Sequence, residues 1–130
     1  MALLGLLMAG CQAGPSAGSA NRALAEKYVN SFNSANMQGI LDVVADDVNV
    51  YVMGGNKPEK GKDTLANLLN YDFPFGTQLR VDKWSEEGDT VKAQIYISSP
   101  KTQQVTPMNA VYSWTVKNGK ISEIHIDRAP

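Results

Sequence analysis

Residues 25–48, AEKYVNSFNSANMQGILDVVADDV, hold the pattern that decides the fold of this chain. They continue an amphipathic helix that we expect to begin near Ser19 or Asn21. The apolar side chains that recur there at helical spacing are Leu24, Tyr28, Val29 and Phe32. A second short helix is predicted over residues 37–45. Beyond it, apolar and other side chains alternate through residues 48–53, which is typical of a strand with one buried face.

Working outward, the rest of the chain predicts one more helix and an antiparallel sheet. Leucines recur at helical spacing over residues 62–70, and residues 72–76 follow as an apolar loop. Strands are expected after it over residues 78–84, 90–98, 106–117 and 121–127. Turn residues join two of the hairpins at 86–89 and 118–119. Helices followed by an antiparallel sheet predict an α+β domain.

The amino-acid composition limits the classes of function that the chain can have. The chain has 130 residues, 43% hydrophobic and 19% charged, which fits a single globular domain. Its 12 basic and 13 acidic residues give a formal net charge of -1, so we expect no nucleic-acid binding. The sequence shows no glycine-rich phosphate loop and no cluster of metal-ligating side chains. We therefore predict neither a cofactor nor a metal ion.

Cys11, the only cysteine, closes an apolar run at the start of the chain. The run ends in the small residues Ala9 and Gly10 and resembles the signal and lipobox of bacterial lipoproteins. The resemblance implies a lipid-modified Cys11 and a protein anchored to a membrane of the bacterial cell envelope. The alternative is a free, buried cysteine in an ordinary apolar segment. We expect a signal segment at 1–10, a flexible tether at 11–20 and the folded domain at 21–130.

Two stretches resemble the nuclear transport factor 2-like (NTF2-like) superfamily, which includes ketosteroid isomerases and SnoaL-like cyclases. They are residues 25–48, quoted above, and YSWTVKNGKI at residues 112–121, which is similar to the superfamily's last two strands. The resemblance implies three N-terminal helices packed in a strongly curved, mostly antiparallel sheet around a conical apolar pocket. Because this fold hosts many unrelated activities, the resemblance leaves the function open.

The isomerase branch of the superfamily can be compared at three positions. Its oxyanion-binding tyrosine corresponds to Tyr28, and its second oxyanion donor, a protonated aspartate, corresponds to Tyr112. Its general base, also an aspartate, corresponds to Val52, which cannot accept a proton. The resemblance therefore implies two hydroxyl donors without a base. Our leading hypothesis is non-catalytic binding of a small apolar or amphipathic molecule.

The predicted ligand-binding residues lie on the first helix and on the inner faces of the strands. They are Tyr28, Phe32, Val52, Ile95, Tyr112, Trp114 and Ile124. A tyrosine on an inward helical stripe also has a plain structural interpretation, in which the ring fills the core and the hydroxyl finds one partner.

The turn at Asn118-Gly119 determines where His125, the only histidine, points. A two-residue turn would set His125 opposite Tyr112, inside the sheet. A three-residue turn with a glycine bulge would shift the register by one residue and set Ile124 there instead. We favour the bulged turn, because it gathers the apolar side chains on one face. The outer face would then carry Val111, Ser113, Thr115, Ile121, Glu123 and His125.

Two alternatives to a binding protein stay open. Partial exposure of Val111 and Ile121 on the outer sheet face would favour an interaction module that forms a homodimer. An enzyme of the SnoaL-like or isomerase type would need a carboxylate or a histidine in the cavity, with a shifted pKa. The side chains that line the pocket distinguish an enzyme from a binding protein.

Overall fold

The computed structural model describes residues 17–130. The helices are α1 (Ala17–Asn33), α2 (Met37–Leu41) and α3 (Lys62–Asp72), and a 3-10 turn follows at Phe73–Phe75. The strands are β1 (Val44–Val52), β2 (Glu59–Lys60), β3 (Gln78–Glu87), β4 (Thr90–Ser98), β5 (Met108–Lys117) and β6 (Lys120–Arg128). This order confirms the predicted α+β class.

The strands form one six-stranded sheet in the order β2-β1-β6-β5-β4-β3. Neighbouring strands run antiparallel except β1 and β6, which lie parallel. The first long strand of the chain is therefore paired with its last strand. The inner face of the sheet and the helices share one core, whose largest fully buried side chains include Trp114, Ile40, Ile95, Ile121 and Ile124.

Helix α1 lies antiparallel along the edge strand β3. Near the start of the helix, the Arg22 guanidinium lies 5.1 Å from the centre of the Trp84 ring. At its end, the Asn33 amide donates to the Leu79 carbonyl (2.9 Å) and accepts from the Leu79 N–H (2.7 Å). The amide therefore pairs with Leu79 much as a neighbouring strand would, which satisfies backbone groups that an edge strand leaves free.

Several element boundaries differ from the sequence predictions, and two of them change the path of the chain most. Helix α2 ends at Leu41 and β1 begins at Val44, whereas we expected a helix over residues 37–45. The Val43 carbonyl accepts from the Ile121 N–H (2.8 Å), so pairing with β6 ends the helix early. Helix α1 begins at Ala17, so residues 17–20 are helical rather than part of a tether. Cys11 and the predicted signal segment lie outside the described residues.

The hairpin between β5 and β6 has a two-residue turn, so the predicted three-residue turn is wrong. Lys117 pairs with Lys120. Asn118 and Gly119 have φ of 53° and 76°, which a type I′ turn requires at both central positions. The extra residue lies further along β6 at Ser122, where the register shifts.

This bulge at Ser122 explains why Ile121 is buried, although we expected it on the outer face. Ile121 and Ile124 are three residues apart and would point to opposite faces of a regular strand. The extra residue lets both point inward, and each is 0% exposed. The same shift places Ile126, rather than the expected Ile124, opposite Tyr112. His125 lies opposite Ser113 on the outer face, the direction we predicted.

Candidate functional site

A pocket of about 170 Å³ opens between α1, α3 and the inner face of the sheet. Helix α1 contributes Tyr28 and Phe32, and β5 and β6 contribute Tyr112 and Ile126. The remaining lining residues come from β1 and α3: Val50, Val52, Leu65, Leu68, Leu69, Tyr71 and Asp72. An apolar cavity of about 150 Å³ takes up benzene, so this pocket holds a group of about one ring.

Several of the predicted ligand-binding residues line this pocket: Tyr28, Phe32, Val52 and Tyr112. Tyr28 and Tyr112 are almost fully buried and lie deep in it, whereas Val52 is 41% exposed at its mouth. The structure therefore brings together the two tyrosines that the isomerase comparison selected.

The other predicted residues do not line the pocket. Ile95, Trp114 and Ile124 are buried in the core beside it. The register of β6 is the reason, since Ile124 pairs with Trp114, deeper in the sheet than the Tyr112–Ile126 pair. Trp114 supports the pocket instead, because its ring centre lies 5.8 Å from that of Tyr28 and 5.5 Å from that of Tyr112.

Asp72 is a pocket residue that the sequence analysis missed, because we placed it in an apolar loop. Helix α3 continues through Asp72. Asp72 therefore follows Leu65, Leu68 and Leu69 at the spacing i, i+3, i+4, i+7, which puts these side chains on one helix face. That spacing was the signal in the sequence, and ending the helix at Asn70 hid it. Our conclusion that the pocket lacks a base is wrong, because a carboxylate reaches it from α3.

The environment of Asp72 is apolar. Burial raises the pKa of its carboxyl group, because desolvation disfavours the charged form. Among the described residues, no lysine, arginine or histidine lines the pocket to offset the carboxylate charge. Such a carboxylate is a stronger base than that of an ordinary exposed aspartate.

The two pocket tyrosines stay protonated at neutral pH. Burial, and then the negative charge of Asp72, raise the pKa of Tyr28 far above its ordinary value. Burial also raises the pKa of Tyr112, with smaller effects from Tyr28 and Asp72. Both side chains can therefore donate a hydrogen bond to a ligand in the pocket.

His125 lies away from this site on the outer face of the sheet. Its ring stacks on Tyr51 at a centre distance of 4.3 Å, and its Nε2 lies 2.6 Å from Glu123 Oε1.

Within residues 17–130, no three His, Cys, Asp or Glu side chains gather in a way that suits a metal ion. In the same range, no helix is both long and apolar enough to cross a bilayer.

A curved sheet that encloses three helices and an apolar pocket defines an NTF2-like protein, and solved structures share this fold. An NTF2-like protein of unknown function from Cytophaga hutchinsonii is 17% identical (TM-score 0.70, covering 85% of this chain and 90% of that one). A candidate ketosteroid isomerase from Kribbella flavida is 18% identical (TM-score 0.75, covering 87% and 80%). A candidate polyketide cyclase from Xanthomonas campestris is 19% identical (TM-score 0.76, covering 88% and 93%). At these identities the likeness shows the fold alone.

The family model of the SnoaL-like domain matches residues 25–124, so the chain belongs to the SnoaL-like family. No curated protein matches it significantly in sequence.

We expect Asp72→Asn to stabilise the fold at pH 7, by up to about 1 kcal/mol because the carboxyl group is only partly buried. The raised pKa means that the folded state disfavours the carboxylate. This cost is complete above the folded-state pKa, diminishes as the pH falls through it, and disappears below the unfolded value of about 3.9. Urea unfolding at pH 7 and at pH 3 measures the difference, which should be present only at pH 7. The exposed Asp47→Asn is the control, and a less stable Asp72→Asn at pH 7 would contradict the assignment.

Proposed function

We propose that this domain binds a small, mostly apolar carbonyl compound in the pocket and that Asp72 transfers a proton on it. The observation that supports this proposal is that Asp72, Tyr28 and Tyr112 line the same, otherwise apolar pocket. Tyr28 and Tyr112 would donate to the carbonyl oxygen, and the apolar body of the ligand would pack against Phe32 and Leu69. A site of this kind, apolar with a few convergent polar groups, is typical of small-molecule binding.

The proposed chemistry balances without a redox partner. The Asp72 carboxylate removes a proton from the carbon beside the carbonyl group. The C–H electron pair forms the C=C bond of an enolate, and the former C=O electron pair moves to the oxygen, where Tyr28 and Tyr112 stabilise the charge. Where the substrate carries a C=C bond between its β and γ carbons, the enolate is conjugated with that bond. Asp72 then returns the proton to the γ carbon, and the double bond moves to the α and β carbons. Alternatively, the enolate carbon attacks a second carbonyl group, and the resulting alkoxide takes the proton.

Non-catalytic binding, our leading hypothesis from the sequence, is the second candidate function. An aspartic acid that stays protonated can donate a hydrogen bond to a ligand, and the raised pKa of Asp72 favours this form. The pocket would then hold a carbonyl compound through three donors and leave it unchanged. The two functions differ in whether bound ligand exchanges its protons.

We expect the wild-type domain to accelerate hydrogen–deuterium exchange beside the carbonyl group of cyclohexanone, measured by NMR in D2O. Asp72→Asn should lower the catalysed rate by about 10²–10⁴-fold, because an amide cannot accept the proton. Tyr28→Phe and Tyr112→Phe should each lower it by about 10²-fold through loss of a donor to the enolate oxygen. Asp47→Asn is the matched control. Binding without any Asp72-dependent exchange would select the non-catalytic alternative.

We also propose that the domain is carried by a lipoprotein of the bacterial envelope, anchored through Cys11. Support comes from the sequence: an apolar run that ends in small residues and this single cysteine. Two acyl chains give stable membrane attachment, whereas one chain binds only marginally.

Expression of the chain in a bacterium that processes lipoproteins tests the anchor. The wild type should partition into the detergent phase of a Triton X-114 extract, and Cys11→Ser should move it to the aqueous phase. Ser16→Ala is the control for a substitution near the same site. Equal partitioning of wild type and Cys11→Ser would rule out anchoring through this thiol.

A homodimer through the outer sheet face is a further proposal. This face carries the Tyr51–His125 stack and the partly buried Val111 among polar side chains. Ile121, which we expected to contribute to this surface, is buried in the core and does not. The apolar part of the face is therefore smaller than the sequence indicated.

Sedimentation velocity over micromolar concentrations tests self-association. We expect a concentration-dependent shift toward a dimer, which Val111→Lys abolishes by placing a charge in the interface. Val52→Lys makes the same change at the pocket mouth and should leave sedimentation unchanged. A wild-type protein that stays monomeric at 100 μM or so would contradict the proposal.

A further inference from the structure

Of the three large hydrophobic side chains that are exposed in the described part of the chain, two lie at the mouth of the pocket and the third follows one of them directly in the sequence. The three are Val52 (41%), Met53 (44%) and Tyr71 (70%). Val52 and Tyr71 line the pocket directly. The Met53 N–H donates to the carbonyl of Ile126, another lining residue, at 2.6 Å. We call Val52, Met53 and Tyr71 the collar.

The collar is held in place by its surroundings. Met53 has a φ of 51°, a conformation that is unfavourable for a residue other than glycine and persists where neighbouring contacts impose it. The Tyr71 ring meets Phe75 edge to face, with ring centres 5.2 Å apart. Single exposed apolar side chains are common, but a cluster beside a pocket marks a binding surface.

The cavity is too small for a large ligand to lie inside it. About 170 Å³ accommodates one ring or about six carbon atoms, since benzene occupies a cavity of about 150 Å³. Pockets that enclose drug-sized ligands measure about 300 Å³ or more. A ligand longer than one ring must therefore leave the cavity through the mouth and pass over the collar.

The charges in the pocket restrict the head of this ligand. Of the side chains in residues 17–130 that line the pocket, Asp72 is the only ionisable one besides the tyrosines, and none of them is a cation that would balance it. An anionic head would face the Asp72 charge in an apolar surrounding, which is unfavourable. The head is therefore neutral, and its oxygen points inward because Tyr28 and Tyr112 lie deep in the pocket, with exposures of 2% and 5%.

We propose that the ligand is a neutral carbonyl compound with an unbranched apolar tail, whose head enters the pocket and whose tail lies on the collar. The identity of the head rests on the proposed function, whereas the tail rests on the exposure and position of the collar. Val52, Met53 and Tyr71 then determine the preferred chain length. They do so without touching the carbonyl group.

A homologous series of methyl ketones from butanone to 2-decanone tests this, with dissociation constants measured by ligand-observed NMR. For wild type, affinity should rise by about two- to fourfold per added methylene, and the rise should continue beyond six carbons. In the double variant Met53→Gln/Tyr71→Ser, the gain in affinity per added methylene should end at about six carbons. The readout is this slope beyond six carbons, not the affinity for butanone, because Tyr71 also lines the pocket. Met37→Gln, the same substitution on α2 outside the pocket, should leave the whole series unchanged.

The outcomes separate this proposal from the proposed function. Short ketones that bind, with no further gain beyond six carbons, would overturn the collar proposal and leave the pocket proposal standing. If no ketone binds, both fail. If the double variant leaves the ketone series unchanged, the collar does not hold the tail. Altered sedimentation of that variant would then assign the collar to contact with a second copy, and altered binding to phosphatidylcholine vesicles would assign it to a bilayer.

Discussion

The extra residue at Ser122 determines which side chains meet inside the sheet. Without it, either Ile121 or Ile124 would face solvent, and burial of one such side chain is worth about 1.5–3 kcal/mol. The bulge disturbs a ladder position worth about 0.5–1.5 kcal/mol, and Ser122 Oγ recovers a hydrogen bond by donating to the Thr115 carbonyl at 3.2 Å. Burial therefore outweighs regular pairing. The pocket depends on this choice, because the same shift sets Ile126 opposite Tyr112.

Features that depend on the residue pattern within one helix or strand could be predicted from the sequence. The stripe on α1 placed Tyr28 and Phe32 inward, and the predicted bounds of β4 agree with the structure. For these two elements, neighbouring residues decide which face is apolar, so distant contacts add little. The outward direction of His125 was also predicted correctly, although it results from the bulge at Ser122 and not from the three-residue turn that we expected.

Features that depend on distant contacts were not readable. Helix α2 ends early because Val43 pairs with Ile121, and no local signal marks that contact. The bulge was expected within the turn, but Asn118 and Gly119 both adopt the positive φ that a two-residue turn requires. Asp72, by contrast, was readable from its spacing to the leucines of α3, and we missed it through an error of two residues at the helix end, where sequence-based assignment is least reliable. That small error removed from consideration the one carboxylate that the described part of the chain brings to the pocket.

Comparing single sequence positions with those of a related enzyme can miss a functional group, because the same group can reach a pocket from another element. The sequence resemblance assigns Val52 to the position of the isomerase base, yet Asp72 brings a carboxylate to the same pocket from α3. Its charge lies in an apolar surrounding without a cation, an arrangement that does not favour stability. Proteins retain such groups where function requires them, and functional sites are where stability and activity conflict.

The parallel pairing of β1 with β6 has a consequence for how this protein is made. Tyr51 lies beside His125, and Val52 beside Ile126, so one side of the cavity joins residues from opposite ends of the domain. During synthesis, β1 leaves the ribosome long before its partner strand β6 has been made. Until then, that edge of β1 is unpaired and its apolar valines lack their contacts with β6. Closing so long a loop makes folding slow, and it leaves the nascent chain open to aggregation until β6 has been made. A chain released before β6 is made would keep most of its core residues, yet it would lack the strand that joins β1 to the rest of the sheet.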